Sequence, residues 1–426
     1  MNYINKMMSN KILQDSVIAF ATKIFGATLG FIISAIIARS LGAEKAGEYY
    51  VVFSVFMYIC ALGSLGFNFF TLRIIASNNS NFDKVNSLFS TVTFYCLLAC
   101  IILSMLLFNC SDYIAGVVFN NYNLSDLFRG ISFGIPFYVL LILHSHAIQG
   151  VGKTHKAMII SGPLIHLIFL FYWFGIGDKN LNSVVSANVF SYAICFIFGV
   201  LFWFSRKESQ FNSPNYPIKE ILASSIPLLI TQIFAQINSL SGEILTGALS
   251  EPSQVAFFSI ANKIATITAF VLIAVNRAVS AKYASLYSDG NIIELQSVVT
   301  TSSRIMLIGG GGLILLIFVF SNSLLNVFGE EFLQAKGVLF VLLFAQLINI
   351  LTGSVSYLLS MTGHEKIQTK IVMMSSLTMV VLSLLLIPKL GAIGASFSLL
   401  FSMTMNNFLG WYYVREVVGI NTLKIF

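Results

Sequence analysis

The chain has 426 residues, of which 57% are hydrophobic and only 10% charged, with a mean hydropathy of +0.86. Soluble domains carry about 25% charged residues; this composition would leave a soluble fold without a polar skin, so the chain reads as an all-α polytopic membrane protein. The formal net charge of +7 does not argue for nucleic acid, because cytoplasmic loops of membrane proteins are rich in Lys and Arg.

The first apolar stretch, 12–70, reads as two membrane helices joined by the turn Arg39-Ser-Leu-Gly-Ala-Glu-Lys-Ala-Gly47. Its first run is too long for the core of a signal peptide and lacks a small-residue cleavage site. At about 100° per residue, Asp15, Ala19, Thr22, Gly26 and Gly30 fall on one side of the first helix, with Lys23 at the edge. A charge at the bilayer centre costs roughly 2.5–3.5 kcal/mol on insertion scales, so this stripe is expected to face a partner helix or a wet cavity.

A span needs about 20 apolar residues. Twelve runs qualify: 12–38, 46–70, 88–108, 129–149, 157–176, 182–204, 221–247, 255–276, 304–321, 335–360, 367–387 and 392–414. Between the third and fourth, Tyr113 to Phe119 is apolar but too short to cross. With the N-terminus in the cytoplasm, the inner segments hold most of the Lys and Arg residues, which puts both termini inside. The polar stretch 205–220, with Ser213-Pro214-Asn215-Tyr216-Pro217, reads as a cytoplasmic linker between two six-helix lobes, 1–204 and 221–426.

The halves look like an internal repeat. An offset of 208 positions places Leu41 on Leu249, Asn68 on Asn276, Ala187 on Ala395 and Trp203 on Trp411. Two of the three tryptophans are thereby paired after the sixth span of each half. An even number of spans per half predicts lobes related by a pseudo-two-fold axis along the membrane normal, with a cleft between them.

No catalytic constellation emerges. Gly152-Lys153-Thr154 imitates the end of a phosphate-binding loop, but Ala147 stands where that motif needs glycine, and a membrane helix precedes it. His144 and His146, two apart on a helix, point in roughly opposite directions, and no group of residues has metal-ligand spacing. The five cysteines read as small buried hydrophobes, and no cofactor is implied. Gly309 to Gly312 reads as a close-packing or flexible stretch, and Pro136 and Pro227 either as kink points or as prolines of the kind membrane helices ordinarily tolerate.

The intramembrane charges carry more information: Asp15 and Lys23 in span one, Glu243 in span seven, and Asn262 with Lys263 in span eight. Such residues mark pathways by default, the alternative being that they pair with one another and fix packing. Arg39, Arg73 and Arg277 near span ends could extend a positive lining, although each taken singly is an ordinary interfacial anchor.

Arg39-Ser-Leu-Gly42, Ala46-Gly47-Glu-Tyr49, Phe53, Leu65-Gly66 and Arg73 resemble the opening of the polysaccharide flippases, which include the O-antigen repeat-unit translocases of the multidrug/oligosaccharidyl-lipid/polysaccharide exporter superfamily. Gln149-Gly-Val-Gly152-Lys153 and Gly391-Ala-Ile-Gly-Ala395 fit the same pattern. In the second half, Ser250 and Val255 replace Gly42 and Gly47, which leaves the symmetry approximate. The resemblance implies a multi-pass protein of the bacterial inner membrane that moves an undecaprenyl-diphosphate-linked oligosaccharide outward by alternating access. Its implied partners are that lipid-linked oligosaccharide, membrane lipids and other glycan-assembly proteins. Lys23, Lys263, Arg39, Arg73, Arg277 and Asn262 would then meet the diphosphate and sugars. Asp15 or Glu243 would carry a coupled ion, unless the membrane potential alone drives the charged cargo. A drug antiporter of the same superfamily is the nearest rival, and a membrane-embedded glycan polymerase or ligase the rival of a different class.

Overall fold

The computed structural model describes residues 2–78, 81–205, 210 and 216–424, with side chains of the first helix described from Ile18 onward. Asp15 therefore lies outside the described side chains, as does most of the 205–220 stretch. Among the described residues all regular structure is helical. Nine helices are long and apolar enough to cross a membrane, or ten if Leu124–Ser132 and Gly134–Gly150, bent by 43° at their junction, form one span. Pro136 sits just after that bend, where a missing N–H costs least.

Two of these helices are too long for one crossing. Ile18–Gly63 has 46 residues and Glu365–Val418 has 54; straight helices of that length would run about 70 and 80 Å, against a hydrocarbon core of about 30 Å. Each is broken by one glycine with positive φ: Gly42 at φ 80°, ψ 170° and Gly391 at φ 56°, ψ −131°. A side chain at such φ is strained by roughly 1–2 kcal/mol. The break also frees the next amide. Ala43 N–H donates to Glu331 Oε1 at 2.7 Å, and Ala392 N–H donates to Gln254 Oε1 at 3.1 Å.

The chain divides into two compact units that do not follow the midpoint of the sequence. The N-terminal unit comprises Met1–Leu41 and Val52–Ile233; the C-terminal unit comprises Gly42–Val51 and Phe234–Phe426. The short segment Gly42–Val51 thus leaves the unit of its neighbours in sequence, and the helix Ile218–Leu249 passes from one unit to the other at residues 233 and 234.

In the N-terminal unit the small stripe of the first helix meets a partner helix. A Cβ on Gly26 would lie 3.4 Å from Pro163, and one on Gly30 would lie 3.2 Å from His166 Nε2. Span five is itself interrupted at Ser161 and Gly162, just before Pro163. Elsewhere Phe56 stacks on Tyr192 with ring centroids 5.6 Å apart, and Phe89 lies 4.2 Å from Trp203. His144 and His146 each donate Nδ1–H to the carbonyl one turn back, Leu140 and Ile142. Cys60, Cys96, Cys100 and Cys195 are buried, and Cys110 is exposed.

In the C-terminal unit Tyr283, Leu295, Val299, Leu358 and Val414 form a core. It is crossed by a polar chain: Tyr283 Oη and Ser302 Oγ are 2.7 Å apart, Tyr283 donates to Ser354 at 3.3 Å, and Ser354 donates to Asn276 Oδ1 at 2.5 Å. The glycine run is continuous helix, and Gly310 lets Ile350 approach so closely that a Cβ would fall 2.6 Å away. Trp411, the counterpart of the buried Trp203, instead donates Nε1–H to Asn421 Oδ1 at 3.1 Å. Asn421 also forms a reciprocal backbone pair with the Gln296 amide.

The tightest glycine contact is Gly47, where a Cβ would fall 1.7 Å from the Pro252 carbonyl oxygen. Gly47→Ala is expected to lower the thermal midpoint of the purified protein by far more than Gly175→Ala, a position with nothing within 4 Å. Light scattering or intrinsic fluorescence on heating in detergent reads the difference.

Candidate functional site

Glu243 and Lys263 lie in the C-terminal unit, but the run expected as span eight, 255–276, is broken: Lys263 sits on Pro252–Thr266, and the helix of spanning length is the next one, Ala269–Ser288. The helix Pro252–Thr266 carries Ser259 and Lys263 one turn apart, so both face the same side. Ser259 donates its hydroxyl to Glu243 Oε1 at 2.8 Å. Lys263 Nζ lies 4.2 Å from the centre of the Tyr50 ring, within cation–π range. Glu243 is near enough for its charge to act on Lys263. A half-buried ammonium thus has an aromatic face, a carboxylate and a neighbouring hydroxyl around it, which is the company a charge removed from water requires.

Two close contacts bring these groups together. Gly47 sits flush against Pro252 at the start of the Lys263 helix, and Gly247, one turn beyond Glu243, admits Val51. These two glycine contacts set the start of span two against the helices that carry Glu243 and Lys263. Tyr50, between Gly47 and Val51 in sequence, is thereby aimed at Lys263 and is 2% exposed.

Of the residues singled out from the sequence, Glu243 and Lys263 meet in this cluster, with half-buried Asn262 beside Lys263 on the same helix. Arg277 belongs to the same unit but follows a break at Ile267 and Thr268, and it is exposed one residue from Asn276. Lys23, Arg39 and Arg73 belong to the N-terminal unit and are exposed there. Sequence reasoning missed Tyr50, Ser259 and Glu48. Glu48 is 6% exposed within a span, and an acid inside an apolar run was a signal available from the start. Tyr50 and Ser259 carried none, because an aromatic or a serine in a span is ordinary. Among the described residues no group of three or more His, Cys, Asp or Glu is placed to hold a metal ion.

The fold is that of the MOP superfamily of transporters. The chain matches the inward-facing conformation of a multidrug resistance MATE family transporter of that superfamily with a TM-score of 0.77 at 16% identity, covering 92% of this chain and 94% of that one. It matches lipid II flippase MurJ in its inward closed conformation equally well, with a TM-score of 0.77 at 14% identity over 95% of this chain and 87% of that one. A MOP superfamily transporter from Pyrococcus furiosus gives 0.68 at 14% identity, covering 95% of each chain. The chain belongs to the polysaccharide biosynthesis protein family, whose profile matches residues 12–281. The MatE profile matches residues 227–385. A curated relative is the capsular polysaccharide biosynthesis protein CapF of Staphylococcus aureus, 23% identical over 260 residues. That stretch is 59% of this chain and spans 64% of the relative's length.

The Tyr50 contact gives a graded test. Tyr50→Phe keeps the ring face and is expected to leave stability nearly unchanged, whereas Tyr50→Leu should lose about 0.5–2 kcal/mol, the range of a cation–π contact. Comparing each variant with its Lys263→Met double mutant in thermal melts isolates the pairwise term.

Proposed function

We propose that this protein is a flippase carrying an undecaprenyl-diphosphate-linked oligosaccharide, an O-antigen or similar repeat unit, from the cytoplasmic to the outer leaflet of a bacterial inner membrane. The observation that carries the reading is Lys263, an ammonium set against the Tyr50 ring and within reach of the Glu243 charge, in a chain of the polysaccharide biosynthesis family. The polyprenyl tail gains about 0.8 kcal/mol per buried CH₂ and stays in lipid. Only the diphosphate and sugars need a polar route. Phosphate oxygens accept strong charge-assisted hydrogen bonds, so a cargo phosphate can take the place of Glu243 beside Lys263.

The reading takes the chain, as the sequence leads one to expect, to be twelve spans in two six-helix lobes about a pseudo-two-fold axis along the membrane normal. Reading each glycine-broken helix as two crossings, and the bent pair as one, brings the crossings to twelve. Alternating access would proceed by rocking of the lobes, with both termini cytoplasmic. Moving negative charge outward gains roughly 2.3 kcal/mol per charge per 100 mV, which can drive the step without chemistry at the site. Lys23, Arg39, Arg73 and Arg277 extend the positive lining, and Asp15 or Glu243 carries any coupled ion. The drug-antiporter reading draws on the equal likeness to a MATE transporter; raised drug resistance in expressing cells without glycan transfer would favour it.

In a host lacking its own flippase, Lys263→Ala is expected to lower surface glycan about tenfold, the effect of losing roughly 1.4 kcal/mol of cargo binding, and Lys23→Ala to lower it less. Normal glycan at normal protein level in both variants would remove these lysines from the mechanism.

A further inference from the structure

Both glycine breaks are finished by the same device. A positive-φ glycine is followed by an alanine whose freed N–H is capped by a side-chain oxygen borrowed from a neighbouring element. The two caps differ in chemistry. Gln254 is a neutral, half-buried amide two residues beyond Pro252, and a Cβ on Gly391 would fall 2.7 Å from its oxygen. Glu331 is an exposed carboxylate on the short 3-10 helix Glu330–Ala335. Its bond to Ala43 is charge-assisted and strong while made; water can solvate the released carboxylate, whereas the Ala43 amide, 3% exposed, regains a partner only as the corner itself moves. The Gln254 cap has a half-buried acceptor; the Glu331 cap has an exposed one.

What the Glu331 cap holds matters more than the bond itself. Gly42–Val51 is the segment that belongs to the C-terminal unit while its sequence neighbours on both sides belong to the other. The chain therefore passes from one unit to the other at both ends of this segment. Tyr50, seven residues beyond Ala43 on the same stretch, covers Lys263.

We propose that Glu331 is a releasable latch on the Gly42 corner, and that opening it lifts Tyr50 from Lys263 and bares the ammonium for an anionic cargo. The second half of this rests on the flippase reading; the latch does not. Released, Gly42–Val51 is free to leave the C-terminal unit and rejoin the helix of span one, and Lys263 exchanges an aromatic face for phosphate oxygens. The latch thereby makes exposure of the cationic site depend on the corner rather than on the cargo alone.

The test uses the full chain in lipid nanodiscs with Cys110→Ser, since the other four cysteines are buried. Spin labels on Lys45→Cys and Gln334→Cys, both exposed in the C-terminal unit, report the corner by pulsed electron resonance. The parent and Glu331→Gln, whose amide oxygen can still accept, are expected to give one narrow distance. Glu331→Ala removes the acceptor and Ala43→Pro removes the donor at a helix start that tolerates proline; both should add a second, longer distance. Parental distributions in both variants would overturn the latch. In a separate Lys263→Cys, Cys110→Ser protein, Glu331→Ala should speed maleimide labelling of residue 263 several-fold, and equal rates would overturn the coupling to Tyr50. Neither measurement needs cargo, so a protein that opens in this way but moves no glycan overturns only the flippase reading.

Discussion

A backbone N–H left unpaired in a bilayer has no water to turn to and costs several kcal/mol. This chain breaks its helices all the same, and the breaks decide where its functional groups lie. At Gly42 and Gly391 the freed amides are met by Glu331 and Gln254. At Gly353, with φ 70°, the chain turns beside Ser303, and Ser354 enters the polar chain through Tyr283 and Asn276. At Gly66, with φ 71°, the backbone lies against Ser225 and Leu229 so closely that a Cβ would fall 2.4 Å from the Ser225 carbonyl. In each case glycine supplies the dihedral or the clearance, and a neighbouring element takes up the space or the hydrogen bond.

The site follows from the same constraint. Breaking the first long helix at Gly42 turns the chain so that Gly47 can dock on Pro252 and Tyr50 can reach Lys263. An unbroken helix would carry Tyr50 far along its own axis. The charge of Lys263 is then tolerated because Glu243 is near, and Glu243 is in turn held by Ser259.

Much of this was legible in the residues. Apolar length gave the membrane class, because the bilayer thickness is a fixed ruler, but not the span list: against twelve apolar runs stand nine helices of spanning length among the described residues, or ten with the bent pair. Of the two settings expected for the Gly26 and Gly30 stripe, a partner helix or a wet cavity, these two glycines meet the helix, at Pro163 and His166. Of the close-packing or flexible roles expected for Gly309 to Gly312, Gly310 shows the first. The second half's charges, Glu243 and Lys263, were picked from their cost alone. What could not be read was which unit a segment would join. Nothing in the periodicity of 42–51 says that it belongs with residues two hundred positions away, since that depends on the backbone contact at Pro252. Tyr50 was hidden for the same reason, as its role is created by a partner remote in sequence. Trp203 and Trp411, equivalent by offset, proved unlike in setting, one packed on Phe89 and the other bonded to Asn421.

The contact at Gly47 has a genetic corollary. Its opposite number is a main-chain oxygen, and every amino acid presents one. No exchange at residue 252 can hollow out room for a methyl group at 47, so a suppressor hunt begun from an alanine there should return true revertants or changes that displace a whole helix, never a compensating neighbour.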